Sequence, residues 1–281
     1  MKILVTGAGG LLGTEIEGLA RARGHHVVPL TRAELDVTDR NSVGAAIEGA
    51  DLEAVVHCAA YTAVDKAESE PERARLVNYD GTRNVASICG SKGVDFVYLS
   101  TDYVFDGVKR VPYLPGDLTN PLSVYGKTKL EGEKVVREVA SPALVVRLSW
   151  LYGHDKGFVP AILQQAVAGD APLRVVCDQV GQPTWVRNAA STVIELLEVG
   201  ARGTLHVGDK GECSWSEFAQ EVLRLDGKET PIEAVSSEEF GGAALRPSYS
   251  VLDLTKTEEV LGRSMPSWQD ALRDFMHSKN Q

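Results

Sequence analysis

Short apolar runs alternate with amphipathic stretches through the first half of the chain. The run "KILVT" (2–6) ends at glycines and predicts a buried strand. Residues 11–23 carry helical spacing and stop at Gly24. A second strand is expected at "HVVPL" (26–30), and a helix at 39–50 with Asp39 as its N-cap. "AVVHC" (54–58) predicts a third strand. Residues 71–90 predict one helix, with Pro71 in its first turn. "DFVYLS" (95–100) is a fourth strand, and a loop bearing Pro and Gly fills 106–122. The segment "SVYGKTKLEGEKVV" (123–136) is a helix, and "ALVVRLS" (143–149) is a fifth strand.

Strands that alternate strictly with helices predict an α/β fold: a doubly wound, Rossmann-like parallel sheet with helices on both faces. Ligands in such sheets bind beyond the carboxyl ends of the strands. That places the site after Thr6, Leu30, Cys58, Leu99 and Leu148. Past residue 150 the pattern loosens. Helices are expected at 157–169, 189–199, 214–225, 255–262 and 267–278, with short strands near 173–177, 203–207 and 230–235. The division expected is a dinucleotide-binding domain over 1–150 and a smaller, mainly substrate-binding part over 151–281. Some segments of that second part are expected to rejoin the main sheet.

Composition narrows the function classes. The 281 residues are 43% hydrophobic and 24% charged, which is globular, and the formal net charge is −10. Without a basic tract, nucleic-acid binding is not expected. No apolar run is long enough to span a membrane, and "MKILVT" runs straight into glycines instead of forming a secretory signal. A cytoplasmic location is the resulting expectation. Cys58, Cys89, Cys177 and Cys213 form no C-x-x-C pair and read as buried free thiols. His25 and His26 read as solvated turn residues, and no metal site is expected.

Two clusters carry chemistry. "TGAGGLLG" (6–13) sets Gly7, Gly10 and Gly13 as G-x-x-G-x-x-G between a strand and a helix. Glycines there let main-chain amides approach a pyrophosphate at the helix N-terminus. At the end of the second strand no acidic residue stands ready for a ribose hydroxyl. Arg32 does stand there, and its guanidinium suits a 2′-phosphate. NADPH is therefore the favoured cofactor, with NADH still open, and Asp36 and Val37 are placed to flank the adenine.

The second cluster combines Ser100, Thr101 and Asp102 at the end of the fourth strand with Tyr125 and Lys129 one helical turn apart. A phenol titrates near ~10. A neighbouring ammonium should lower that value and make Tyr125 a better proton donor at neutral pH. Tyr125 is thus expected to give the proton. Lys129 would tune it and hold the nicotinamide ribose, and Thr101 would orient the carbonyl.

The blocks "TGAGGLLG", "LTRAELDVTD", "HCAAYTAVDKAESEPE", "LSTDYVFDG", "PLSVYGKTKLEGE", "VRLSWLYG", "DQVGQPTW" and "LRPSYSVLD" resemble one family over nearly the whole chain. It is the dTDP-4-dehydrorhamnose reductase family, of the extended short-chain dehydrogenase/reductase type. The resemblance implies reduction of the 4-keto group of a dTDP-linked 4-keto-6-deoxy sugar, the last step of dTDP-rhamnose synthesis. It implies that Gly10, Leu11, Leu12, Asp36, Val37, Ala59, Ala60, Tyr61, Thr62 and Leu99 line the cofactor. Thr101, Asp102 and Trp150 would touch the sugar, and Arg246 a pyrophosphate oxygen. Gln182, Pro183 and Thr184 would shape the substrate loop. Val64, Asp65 and Lys66 would form a wall of the sugar pocket, unless Asp65 and Lys66 simply pair with each other. The family leaves monomer and homodimer both open.

Two rival readings stand beside this one. The same fold serves other nucleotide-sugar reductases and epimerases. A non-catalytic regulatory subunit resembling the methionine adenosyltransferase β-subunit would keep much of the same pattern.

Overall fold

The structure is a computed structural model and describes residues 1–140, 142–153, 157–169 and 172–278. Strands β1 (Lys2–Thr6), β2 (His26–Leu30), β3 (Ala54–His57), β4 (Asp95–Thr101) and β5 (Leu144–Leu148) form where the apolar runs predicted them. Between them lie helices α1 (Leu11–Ala22), α2 (Arg40–Glu48), α3 (Val64–Ser69), α4 (Pro71–Arg75), α5 (Thr82–Lys92) and α6 (Val124–Val139). Asp39 caps α2, its carboxylate accepting from the amide of Asn41.

The second half adds two-residue strands β6 (Leu151–Tyr152), β8 (Val180–Gly181), β9 (Thr184–Trp185) and β11 (Cys213–Ser214) to the longer β7 (Leu173–Val176), β10 (Gly203–Val207) and β12 (Ile232–Val235). Its helices are α7 (Phe158–Ala168), α8 (Val186–Glu198), α9 (Trp215–Leu225), α10 (Ser237–Phe240), α11 (Thr255–Leu261) and α12 (Trp268–Ser278).

The main sheet is six-stranded and parallel, ordered β10-β5-β4-β3-β1-β2. Residue 203 onward therefore returns to the sheet edge beside β5. The period-2 alternation of strands splits the core. Ile3, Val5, Val97 and Leu99 face a layer with Ile16 of α1 and Val193 of α8. Leu4, Val55, Phe96 and Tyr98 face the other, with Val43 of α2, Val85 of α5 and Val136 of α6. Strand order runs outward from β1 to β2 on one side and to β3 on the other, and this change of winding opens a crevice at the carboxyl ends of β1 and β3.

Three expectations need correction. The helix expected over 71–90 is broken at Leu76–Gly81 by a π-helical turn. The turn brings buried Asn78 to bear on the chain at Tyr61. Its Oδ1 accepts from the Tyr61 amide at 2.8 Å, and its Nδ2 donates to the Tyr61 carbonyl at 3.1 Å. Cys177 is exposed and Cys58 half-buried, leaving only Cys89 and Cys213 as buried thiols. His25 is not solvated: its Nε2 lies 2.7 Å from Glu198, which also binds Arg23.

Candidate active site

A single cleft of about 1040 Å³ runs along the carboxyl ends of β1, β3, β4 and β5. One wall is the glycine loop. Gly7 has φ +65°, and a Cβ there would meet the amide nitrogen of Ala59 at 2.7 Å. A Cβ on Gly13 would fall on the Gly7 carbonyl and the Ala8 backbone. Both positions need the bare backbone for close approach. The amides of Leu11, Leu12 and Gly13 begin α1 and lack partners one turn back, so the helix N-terminus favours an anion.

The floor between β1 and β3 is held by His57, a residue that sequence reasoning passed over. Its Nδ1 lies 2.8 Å from Thr6 Oγ1, and its Nε2 3.2 Å from Thr82 Oγ1. Thr6 Oγ1 in turn accepts from the Ala59 amide at 3.3 Å. Burial holds His57 down to about 3, so it stays neutral and acts as a brace. Desolvation also pushes the thiol of half-buried Cys58 up to about 12, against a smaller pull from the Lys129 ammonium, which makes it a poor nucleophile.

At the centre, β4 and the turn that follows it deliver Thr101 and Asp102, while α6 delivers Tyr125 and Lys129. Ser123 caps α6, its hydroxyl accepting from the Gly126 amide at 3.2 Å. Thr101 donates to Asp102 at 3.0 Å, and Ser149 donates to the other carboxylate oxygen at 3.2 Å. Burial outweighs these bonds and lifts Asp102 to about 6. The Lys129 ammonium donates to the Leu99 carbonyl at 2.6 Å and lies 4.2 Å from the Tyr98 ring centroid.

The expected lowering of Tyr125 by Lys129 is not what this geometry gives. Burial pushes Tyr125 up to about 12, against a smaller downward pull from its hydrogen bond with Thr101. Burial also brings Lys129 down to about 7, with Glu133 one turn away opposing. Glu133 is itself fully buried. It accepts from Ser100 at 2.6 Å and from Arg147 at 2.8 Å through each oxygen. Its spacing of four from Lys129 was the available sequence signal.

The structure brings most of the expected residues into this one cleft. Gly7, Gly10, Leu11, Leu12, Gly13, Arg32, Asp36, Val37, Ala59, Ala60, Tyr61 and Thr62 line it. So do Val64, Leu99, Thr101, Asp102, Tyr125, Lys129 and Trp150. Six expected residues, Asp65, Lys66, Gln182, Pro183, Thr184 and Arg246, do not. Gln182 and Thr184 are buried behind Trp150, where the Thr184 amide donates to the Trp150 carbonyl at 3.1 Å. Asp65 does not pair with Lys66, which goes to Glu70. It accepts two bonds from the Arg246 guanidinium, at 2.6 and 3.1 Å, and that pairing holds its carboxyl below the usual range.

Trp150 is the one non-glycine residue with positive φ, +43°, among the described residues. A bulky residue there costs about 1–3 kcal/mol, and such strain collects at functional sites.

The sequence model of the RmlD substrate binding domain matches residues 1–280. A dTDP-4-dehydrorhamnose reductase of Mycolicibacterium smegmatis is 37% identical over 97% of this chain and 84% of its own length. A crystal structure of a dTDP-4-dehydrorhamnose reductase from Clostridium acetobutylicum superposes with TM-score 0.96 at 38% identity, covering 100% of both chains. That of the Bacillus anthracis enzyme, in complex with NADP, gives TM-score 0.95 at 34% identity over 99% of each. On the strength of the glycine loop, the Tyr125–Lys129 pair and matches that run the length of the chain, this protein belongs to the RmlD family, that of the dTDP-4-dehydrorhamnose reductases.

Proposed function

We propose that this protein reduces the 4-keto group of dTDP-4-dehydro-L-rhamnose (dTDP-4-dehydro-6-deoxy-L-mannose) to give dTDP-L-rhamnose, using NADPH. The observation that carries this reading is the meeting of Tyr125, Lys129 and Thr101 with the glycine loop in one cleft. The residues present fit a dinucleotide: bare Gly7 and Gly13 let the loop pack tightly on Ala59 and on its own backbone at the N-terminus of α1, which lines the cleft, and exposed Arg32 lines the end suited to a 2′-phosphate.

When bound, the reduced nicotinamide supplies a hydride to C4 of the sugar. The chain's own residues do the rest. Tyr125 gives its phenolic proton to the oxygen that forms at C4, as general acid. Thr101 holds that oxygen, with its own hydroxyl oriented by Asp102. Lys129 offers its ammonium to the phenolate left on Tyr125 and to ribose hydroxyls. Val64, Asp102 and Trp150 surround the sugar. Arg246 takes a pyrophosphate oxygen, which requires it to share or leave Asp65. In this reading residues 1–150 hold the cofactor, and 151–281 mainly shape the substrate side.

A coupled assay tests the proposal. The 4-keto-L-sugar nucleotide is generated enzymatically, this protein and NADPH are added, and loss of reduced-nicotinamide absorbance is followed. Consumption with dTDP-L-rhamnose as the chromatographed product is the expected result. Bound cofactor without consumption would sink it and favour the regulatory rival.

A further inference from the structure

One end of the cleft holds an aromatic pair, of which Trp215 has no part in the chemistry proposed above. Trp150 and Trp215 both line the cleft and stack with ring centroids 3.5 Å apart and planes 5° from parallel. Trp215 opens α9, and its place is fixed from three sides. Ser214 and Glu217 form a reciprocal capping box around the helix start. The Trp215 indole donates to Gln179 Oε1 at 3.3 Å. Phe158 packs against the same ring at a centroid distance of 4.6 Å.

Trp150 is equally constrained. Its backbone is in the left-handed region, and its indole lies directly on Gly181, where any Cβ would fall on the ring. A strained residue seated on bare backbone and against a second indole has little freedom of its own. It also follows Ser149, which donates to Asp102, which accepts from Thr101. Trp150 is therefore covalently next to the carbonyl-orienting network, and Trp215 reaches it through the stack. An indole face beside that network suits the apolar C–H face of a deoxy sugar.

We propose that Trp215 is a positioning residue for the sugar half of the substrate. Its stack holds the Trp150 indole as a fixed wall, so the sugar carbonyl is presented to Thr101 and Tyr125 in one orientation. This rests on reading the cleft as that of a sugar-nucleotide reductase. Trp215 acts through Trp150 and takes no part in the proton or hydride transfer.

The test has a spectroscopic arm on the unaltered protein. Stacked indoles give an exciton couplet in far-ultraviolet circular dichroism, whereas Trp185 and Trp268 pack on phenylalanine rings. The couplet is expected to survive saturation with dTDP-L-rhamnose, because the stack stays closed while the sugar packs beside it. A couplet lost on saturation with dTDP-L-rhamnose overturns the proposal.

The kinetic arm uses Trp215→Leu and Trp215→Phe. Trp215→Leu should raise KM for the sugar nucleotide about 3- to 10-fold, the range for one aromatic contact, with NADPH affinity unchanged. Trp215→Phe should restore most of it. An unchanged KM in a Trp215→Leu protein that binds NADPH normally overturns the proposal. Should Trp215→Leu fail to fold, the titration of the unaltered protein decides. If the unaltered protein reduces no sugar nucleotide, the reading of the cleft itself fails. Normal reduction with an unmoved KM rejects the role of Trp215 alone.

Discussion

The buried ammonium of Lys129 donates a 2.6 Å hydrogen bond to the main-chain carbonyl of Leu99, at the strand end that also carries Thr101. Lys129 is thereby tied to β4, two residues before Thr101, as well as to its own helix.

That charge should be visible in the pH profile. Burial lowers Lys129 to about 7, opposed by Glu133 on the same helix, while His57 from β3 stays neutral and Tyr125 stays protonated up to about 12. The ammonium is the form that favours proton release from Tyr125, so it is lost as pH rises through about 7. We expect kcat/KM to fall by up to ~10-fold per pH unit above that point. Lys129→Met should be slower and flat over the same range. A profile for Lys129→Met that bends where the parent does would place the titration elsewhere.

Tyr125→Phe removes the proton donor but keeps the ring, which packs edge-on to Tyr103 at 5.8 Å. Turnover should drop at least ~100-fold, as for loss of a general acid, with cofactor affinity little changed. Rapid-quench kinetics and a fluorescence titration check both halves. Near-normal turnover would falsify the donor role.

Arg32 lines the cleft just after β2 near Asp36, whose carboxyl is held down first by hydrogen bonds from Thr38 and also by Arg32. Arg32→Ala should weaken NADPH by about 10-fold and NADH hardly at all, because a surface guanidinium on a phosphate contributes about 1–2 kcal/mol. Dissociation constants for the two dinucleotides measure this. Equal losses would show that Arg32 does not read the 2′-phosphate.

The Glu133–Arg147 pair underlies the whole site. Both side chains are essentially buried, at 0% and 3% exposure. Arg147→Ala leaves the carboxylate with half-exposed Arg137 as its remaining ion-pair partner among the described residues, and with the Lys129 ammonium one turn away. Stability should fall by about 3–5 kcal/mol, as for other broken buried pairs. Urea unfolding reads the loss directly. A change below about 1 kcal/mol would mean that Arg137 and water compensate.

The sequence by itself determined the sheet and most of the residues that line the cleft, though not the His57 brace beneath it. Apolar runs at Lys2–Thr6 and Asp95–Thr101 have one stable solution when helices cover both faces. The glycines at 7, 10 and 13 and the Tyr125–Lys129 spacing announce local geometry that neighbours in sequence largely fix. The break at Leu76–Gly81 was not legible, because helical spacing says nothing of one extra residue in a turn. It forms where Asn78 satisfies the backbone of Tyr61, 17 residues away. The Asp65–Arg246 pair spans 181 residues and the stacked indoles meet through a left-handed Trp150. The acidity of the site was also out of reach: spacing placed Lys129 beside Tyr125, but burial set both their pKa values. Desolvation and long-range pairing depend on what the rest of the fold places around a residue, and only the tertiary structure decides that.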